Sequence, residues 1–198
     1  MKIIAICGGS AAGKSTTANN LKNILPNAIV IDGDKYMHVA DKELAGELDR
    51  AFRKEKNDNV HIFNYLFESY ENSLKWIDII GPRVNELIEN EIKENADKDF
   101  IIIDWAYIFK CEVIKKCDYI INVKADTNIT EKRLHNELQQ SDNNYIFFTD
   151  ESVANRAKYT VFEEYDSLAR FSIINNGKMD DLIANCKDIA YKIMNSKL

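Results

Sequence analysis

Long apolar runs are missing from this sequence: stretches such as Ile3-Ile4-Ala5-Ile6-Cys7 and Phe100-Ile101-Ile102-Ile103 stop at strand length, so no membrane span is expected. With Lys14 opening a helical pattern so early, no secretory leader is expected either, and the expected location is the cytoplasm. Blocks of positive charge are also lacking. The 26 Lys and Arg face 32 Asp and Glu, a formal charge of −6 that repels polyanions, which leaves nucleic acid out of the expected partners. Cysteine is sparse: Cys7, Cys111, Cys117 and Cys186 lie far apart, with no C-x-x-C pair and no histidine at zinc-finger spacing. Structural zinc and disulfides are therefore not expected, and Cys7, Cys117 and Cys186, in or beside apolar segments, are read as small core residues. The three histidines, His38, His61 and His135, are scattered, and none pairs with a Cys or Ser in a triad pattern. There is no internal repeat.

The apolar run at residues 3–7 breaks into Gly8-Gly9-Ser10-Ala11-Ala12-Gly13-Lys14-Ser15, followed at once by Thr16 and an amphipathic helical pattern. This is a P-loop between a strand and a helix, the context that the motif requires. Its glycines let successive N–H groups face inward and the helix N-terminus adds positive potential, so residues 8–16 suit a di- or triphosphate. Lys14 is expected to reach the β- and γ-phosphates and Ser15 to ligate Mg²⁺.

At 198 residues the chain is expected to form one α/β domain with appendages. Five Ile/Val-rich runs, Lys2 to Cys7, Ala28 to Asp32, Phe100 to Asp104, Tyr119 to Val123 and Phe171 to Asn175, lack polar alternation and read as strands of a parallel sheet covered on both faces. Ala18, Leu21 and Leu25 mark the inner stripe of the first helix, and Leu182, Ile183, Cys186, Ile189, Ala190 and Ile193 that of the last. The expected fold is a three-layer α/β sandwich with a core of residues 1–36, 99–125 and 171–198. An insertion over 37–98 reads as a helical acceptor subdomain. One helix there carries Leu44, Leu48 and Phe52, a second carries Ile62, Phe63, Leu66, Phe67 and Tyr70, and a third, with Val84, Leu87, Ile88 and Ile92, is begun by Pro82. Residues 126–170, broken by the polar run Gln139 to Asn144, read as a lid.

Acids follow two of the strands. Ile31-Asp32-Gly33-Asp34-Lys35 puts two carboxylates at the carboxyl edge of the sheet, where open α/β folds hold ligands, and one can accept a proton from an attacking hydroxyl. The alternative is that Asp32 caps the next turn and Asp34 is solvated. Asp104, closing an apolar strand, fits a Walker B carboxylate for Mg²⁺. Lys132, Arg133, Arg156 and Lys158 are the lid cations, of which Arg133 and Arg156 are the preferred pair to neutralise a transferring phosphoryl group. Asn175-Asn176-Gly177 forms a turn at the same edge, read either as an adenine contact or as a plain turn into the last helix.

With these landmarks, the chain resembles the dephospho-coenzyme A kinases, nucleoside monophosphate kinase-like P-loop proteins. Val30-Ile31-Asp32-Gly33-Asp34 is similar to that family's V-I-D-A-D segment, Ile103 to Phe109 stands where it has D-x-P-L-L-F-E, and Ile173-Ile174-Asn175-Asn176-Gly177 resembles its last strand and turn. The resemblance implies ATP and Mg²⁺, transfer of the γ-phosphate to the ribose 3′-hydroxyl of dephospho-coenzyme A, and Asp34 as base. Departures gather on the acceptor side: Gly81 for the family's His, Asn59 for an arginine, Ala106 and Lys110 for Pro and Glu, Arg170 for Asp, and no second arginine shortly after Arg133. A kinase of another nucleoside or nucleotide, or a nucleotide-binding relative without turnover, fits the same landmarks. A GTPase does not fit: Asn122-Val123-Lys124-Ala125-Asp126 misses the N-K-x-D register by one residue.

Overall fold

Five strands, β1 (Lys2–Cys7), β2 (Ala28–Asp32), β3 (Phe100–Asp104), β4 (Tyr119–Lys124) and β5 (Phe171–Ile174), form one parallel sheet in the order β2-β3-β1-β4-β5. The computed structural model describes residues 1–52, 66, 68–140, 150–161 and 163–196. The helices within that range are α1 (Lys14–Ile24), α2 (Gly33–Glu43), α3 (Ala45–Phe52), α4 (Tyr70–Glu94), α5 (Thr127–Gln140), α6 (Asp150–Tyr159), α7 (Glu164–Leu168) and α8 (Met179–Asn195). Apart from Leu66 and Tyr70, the expected second helix of the insertion lies outside the described residues, as do Asn59, His61 and the polar stretch 141–144.

The two-residue period of a strand divides its side chains between two cores. Ile3, Ala5, Cys7, Ile31, Ile101 and Ile103 face one way and pack with Leu48, Phe52, Trp76, Ile80, Val84 and Ile88 of α3 and α4. Ile4, Ile6, Ile102, Ile121, Val123 and Ile173 face the other and meet Ala18 and Leu21 of α1 and Leu182, Cys186, Ile189 and Ile193 of α8. That is the expected three-layer sandwich, with β1 and β3 covered on both faces. The edge strands β2 and β5 are less covered, β5 most plainly. On β5, Ile174 is 70% exposed.

Two expectations about the insertion need correction. Pro82 does not begin a helix: it lies inside the 25-residue α4, whose N-cap is Ser69, accepting a hydrogen bond from the Asn72 N–H at 3.1 Å. An interior proline costs about 3 kcal/mol. Against it stand Trp76, Ile77, Ile80, Val84, Ile88 and Ile92, all buried, each worth about 1.5–3 kcal/mol on full burial, so packing outweighs the local rule. The boundary drawn between 36 and 37 falls inside α2, which starts directly after β2 because Asp32 caps it. Cys7, Cys111 and Cys186 are buried and Cys117 is partly so, all as free thiols. Burial pushes the Cys186 thiol up to about 11 and those of Cys111 and Cys117 up to about 12, which makes them poor nucleophiles. Among the described residues no helix is long and apolar enough to cross a membrane.

Candidate active site

β1 ends at Cys7, and the chain turns through Gly8 at φ +138°, where an added Cβ would lie 2.1 Å from the Val123 carbonyl oxygen of β4. At Gly13, φ is +106° and an added Cβ would lie 2.3 Å from the Asn175 Nδ2, so both glycines answer to backbone conformation and close approach. Ala11 between them is also left-handed, at φ +54°, which for a residue with a Cβ costs about 1–2 kcal/mol. α1 begins at Lys14 with Gly13 as a side-chain-free cap, leaving its first amides for an anion. The Lys14 ammonium folds over the loop and donates to the Gly9 carbonyl at 3.0 Å.

Opposite the loop stand the acids. β2 and β3 pair in register, which brings Asp32 beside Asp104. Asp32 accepts from the N–H groups of Asp34 (3.0 Å) and Lys35 (3.3 Å), so its carboxylate serves as the α2 cap, while Asp34, in the first turn, is the acid that faces the P-loop charges. The Asp34 side chain is exposed to water. The surrounding protein mass raises its pKa above the usual carboxylate value, Lys14 opposes that rise, Asp32 adds to it, and Arg156 and His38 oppose it in turn. Asp104 is only 7% exposed, hydrogen-bonds Ser15, and is likewise raised, by burial first, against Lys14 and Ser15. Its Oδ1 is buried with no hydrogen-bond partner among the described residues, although a buried carboxylate oxygen normally has one. Such an oxygen beside the Ser15 hydroxyl fits Mg²⁺, which is held by one or two protein oxygens together with waters and substrate phosphates. Among the described residues no cluster of three or more His, Cys, Asp or Glu side chains offers an all-protein alternative.

The two lid arginines part company. Arg156, on α6, donates through Nε to the Ser10 hydroxyl at 3.3 Å and acts electrostatically on Asp34. Arg133, on α5, does not take the phosphoryl-facing place expected for it. Its guanidinium donates to the carbonyls of Ala11 (3.1 Å), Ala12 (3.4 Å) and Asn175 (2.9 Å), because α5 packs against the carbonyl side of the loop. At the turn after β5 the Asn176 Oδ1 accepts the Asp126 N–H, and the neighbouring Asn175, buried, donates to the Ala12 carbonyl at 2.8 Å. Thr16 follows in the first turn of α1, its carbonyl accepting from Asn20.

Two residues carry no signal in the sequence: Thr160 is buried and accepts the Ser10 N–H at 2.8 Å, and His38 gains its place near Asp34 only through the helix that joins them. The family departures fall at varied places. Gly81 lies buried in α4 with its carbonyl near the Cys111 thiol (3.5 Å), Ala106 is buried in the same core, and Lys110 pairs with Asp78 at 3.5 Å. Arg170 stacks over Tyr119 with 5.2 Å to the ring centre, at the opposite edge of the sheet from the P-loop.

Comparison with known proteins agrees with this geometry. The family model described as dephospho-CoA kinase matches residues 2–181. A dephospho-CoA kinase of Borrelia garinii subsp. bavariensis is 31% identical over 150 residues, covering 73% of this chain and 72% of the relative. Among solved structures, a Thermus thermophilus protein, TT1252, superposes with a TM-score of 0.66 at 20% identity, covering 97% of each chain. The dephospho-CoA kinase of Campylobacter jejuni superposes at 0.56 with 19% identity, covering 98% of each chain.

Proposed function

The chain belongs to the dephospho-CoA kinase family, and from that premise we propose that it transfers the γ-phosphate of ATP to the ribose 3′-hydroxyl of dephospho-coenzyme A, in the cytoplasm. The observation that carries this reading is the convergence of Lys14, Asp34, Asp104 and Arg156 on one edge of the sheet, each acting on the charge of another. A phosphoryl group in flight spreads negative charge over its oxygens, and positioning plus electrostatic stabilisation supply most of the catalysis.

In this account the P-loop amides not already bonded within the protein, with those of the first turn of α1, hold the ATP phosphates, and Lys14 leaves the Gly9 carbonyl for the β- and γ-oxygens. Ser15 and Asp104 would hold Mg²⁺, whose charge offsets that of the phosphates. Asp34 accepts the proton of the attacking hydroxyl, which general base catalysis makes worth about 10²–10⁴ in rate. Its raised pKa brings its basicity closer to the task. Arg156 neutralises charge on the transferred group, and the bond to the β-phosphate oxygen breaks to release ADP. Arg133 and Asn175 keep the loop in shape from behind. The helical stretch between β2 and β3 holds the acceptor, and the helical stretch between β4 and β5 covers ATP.

The test is ADP release with ATP and Mg²⁺ across dephospho-coenzyme A, nucleosides and nucleoside monophosphates. Acceleration by dephospho-coenzyme A alone supports the assignment; acceleration by a nucleoside alone moves the acceptor, and silence with all of them favours binding without turnover.

A further inference from the structure

The last turn of α6 is fastened to the outer corner of the P-loop by one hydroxyl. Thr160, 1% exposed, accepts the backbone N–H of Ser10 at 2.8 Å and donates to the Arg156 carbonyl, also at 2.8 Å. From that same turn Arg156 reaches back and donates through Nε to the Ser10 hydroxyl at 3.3 Å. The corner is tight. A Cβ added to Gly9 would lie 3.1 Å from Val161 Cγ2, and Leu134, Val153 and Ala157 of α5 and α6 pack with Ala11.

A threonine hydroxyl has one proton to give and can accept, and here both capacities are used, on two different elements. The backbone that bears Arg156 is thereby held at a fixed distance from the loop that bears Lys14. Arginine is long and rotamer-rich, so the place of its guanidinium depends on where its backbone is held.

We propose that Thr160 is a positioning residue for phosphoryl transfer, acting through Arg156 by locking the end of α6 onto Ser10. This rests on the kinase reading above and on the role given there to Arg156. Valine at 160 keeps the shape and removes the hydroxyl, leaving the Ser10 N–H unanswered; serine keeps the hydroxyl.

The experiment is a double-mutant cycle in the full chain, with kcat and KM for ATP measured for T160V, T160S, R156A and T160V/R156A, and hydrogen exchange followed at the Ser10 amide. Displacing a transition-state group by about 1 Å can cost about 10²-fold, so T160V should lower kcat by about 10–100-fold. T160S should restore kcat to within about threefold. In the R156A background the further loss from T160V should shrink below about twofold, since residues acting through one another do not add. Exchange at Ser10 should quicken in T160V and not in T160S. Should T160V not fold, T160A enters the same cycle. A normal kcat in T160V, a failure of T160S to restore it, or an equal loss in both backgrounds overturns the inference. Wild-type turnover of dephospho-coenzyme A tests the kinase reading separately, and an R156A enzyme with wild-type kcat removes this inference while leaving that reading intact.

Discussion

Replacing Arg133 by methionine separates two roles that a lid arginine can have. The guanidinium gives three contacts to backbone carbonyls, at 2.9, 3.1 and 3.4 Å, and the carbonyl of left-handed Ala11 receives one of them. Hydrogen bonds from a charged donor contribute about 1.5–3 kcal/mol each. Arg133 is only partly buried and the longest contact is weak, so we take the low end for the two shorter ones, about 3 kcal/mol in total, as the support removed. The left-handed strain at Ala11, about 1–2 kcal/mol, then loses its counterweight. If about 2 kcal/mol of this appears as a loop that must be re-formed on binding, the apparent affinity for ATP falls about 30-fold. The ordered loop is needed equally in the ground state and the transition state, so kcat at saturating ATP should stay within about threefold. Adding Ala11→Gly to the Arg133→Met variant should recover part of the lost affinity, since glycine carries no left-handed penalty. Initial rates across a range of ATP concentrations decide the matter. A fall in kcat of about 10³ or more with KM unchanged is the signature of an arginine that meets the transferring phosphoryl group, and it would refute the bracing role.

Two further outcomes follow from the acids. Asp34→Asn should lower kcat by about 10² or more, and in the wild type the rate should drop as pH falls through a pKa displaced upward from the ordinary carboxylate value, because only the ionised base accepts a proton; a flat acid limb, or a near-normal rate for the variant at saturating substrate, removes the assignment. Asp104→Asn should melt higher than wild type at pH 7 without ligand: its native pKa is raised above the unfolded value, so the stability present below the unfolded pKa is lost as pH rises through the folded one, and each kcal/mol regained reads as about 2–4 °C in Tm. Adding Mg·ATP should reverse the order of the two melting temperatures, and the same order with and without Mg·ATP would contradict the metal role.

What the sequence disclosed was what depends on local pattern. The strand, loop and helix of residues 2–24 are fixed by glycines and apolar period, and the unbroken Ile runs identify a sheet with two covered faces. The misreadings share one cause: contacts distant in sequence outweighed local rules. Pro82 reads as a helix start, but six buried apolar residues carry α4 through it. For Asp32 the capping alternative holds, because α2 starts directly after β2. Arg133 and Arg156 are both cations on helices of one segment, and only the folding of α5 against the loop's carbonyls tells them apart. Thr160 ends an ordinary helix, and nothing in its neighbourhood of the chain announces a partner 150 positions away.

The most direct test of the whole account is identification of the product formed from ATP, Mg²⁺ and dephospho-coenzyme A by purified wild type beside Lys14→Ala. One ADP should be released per phosphate gained, with the new phosphate on the ribose 3′-oxygen and no product from the variant. Phosphate appearing elsewhere, or ADP release that ignores dephospho-coenzyme A, would contradict it.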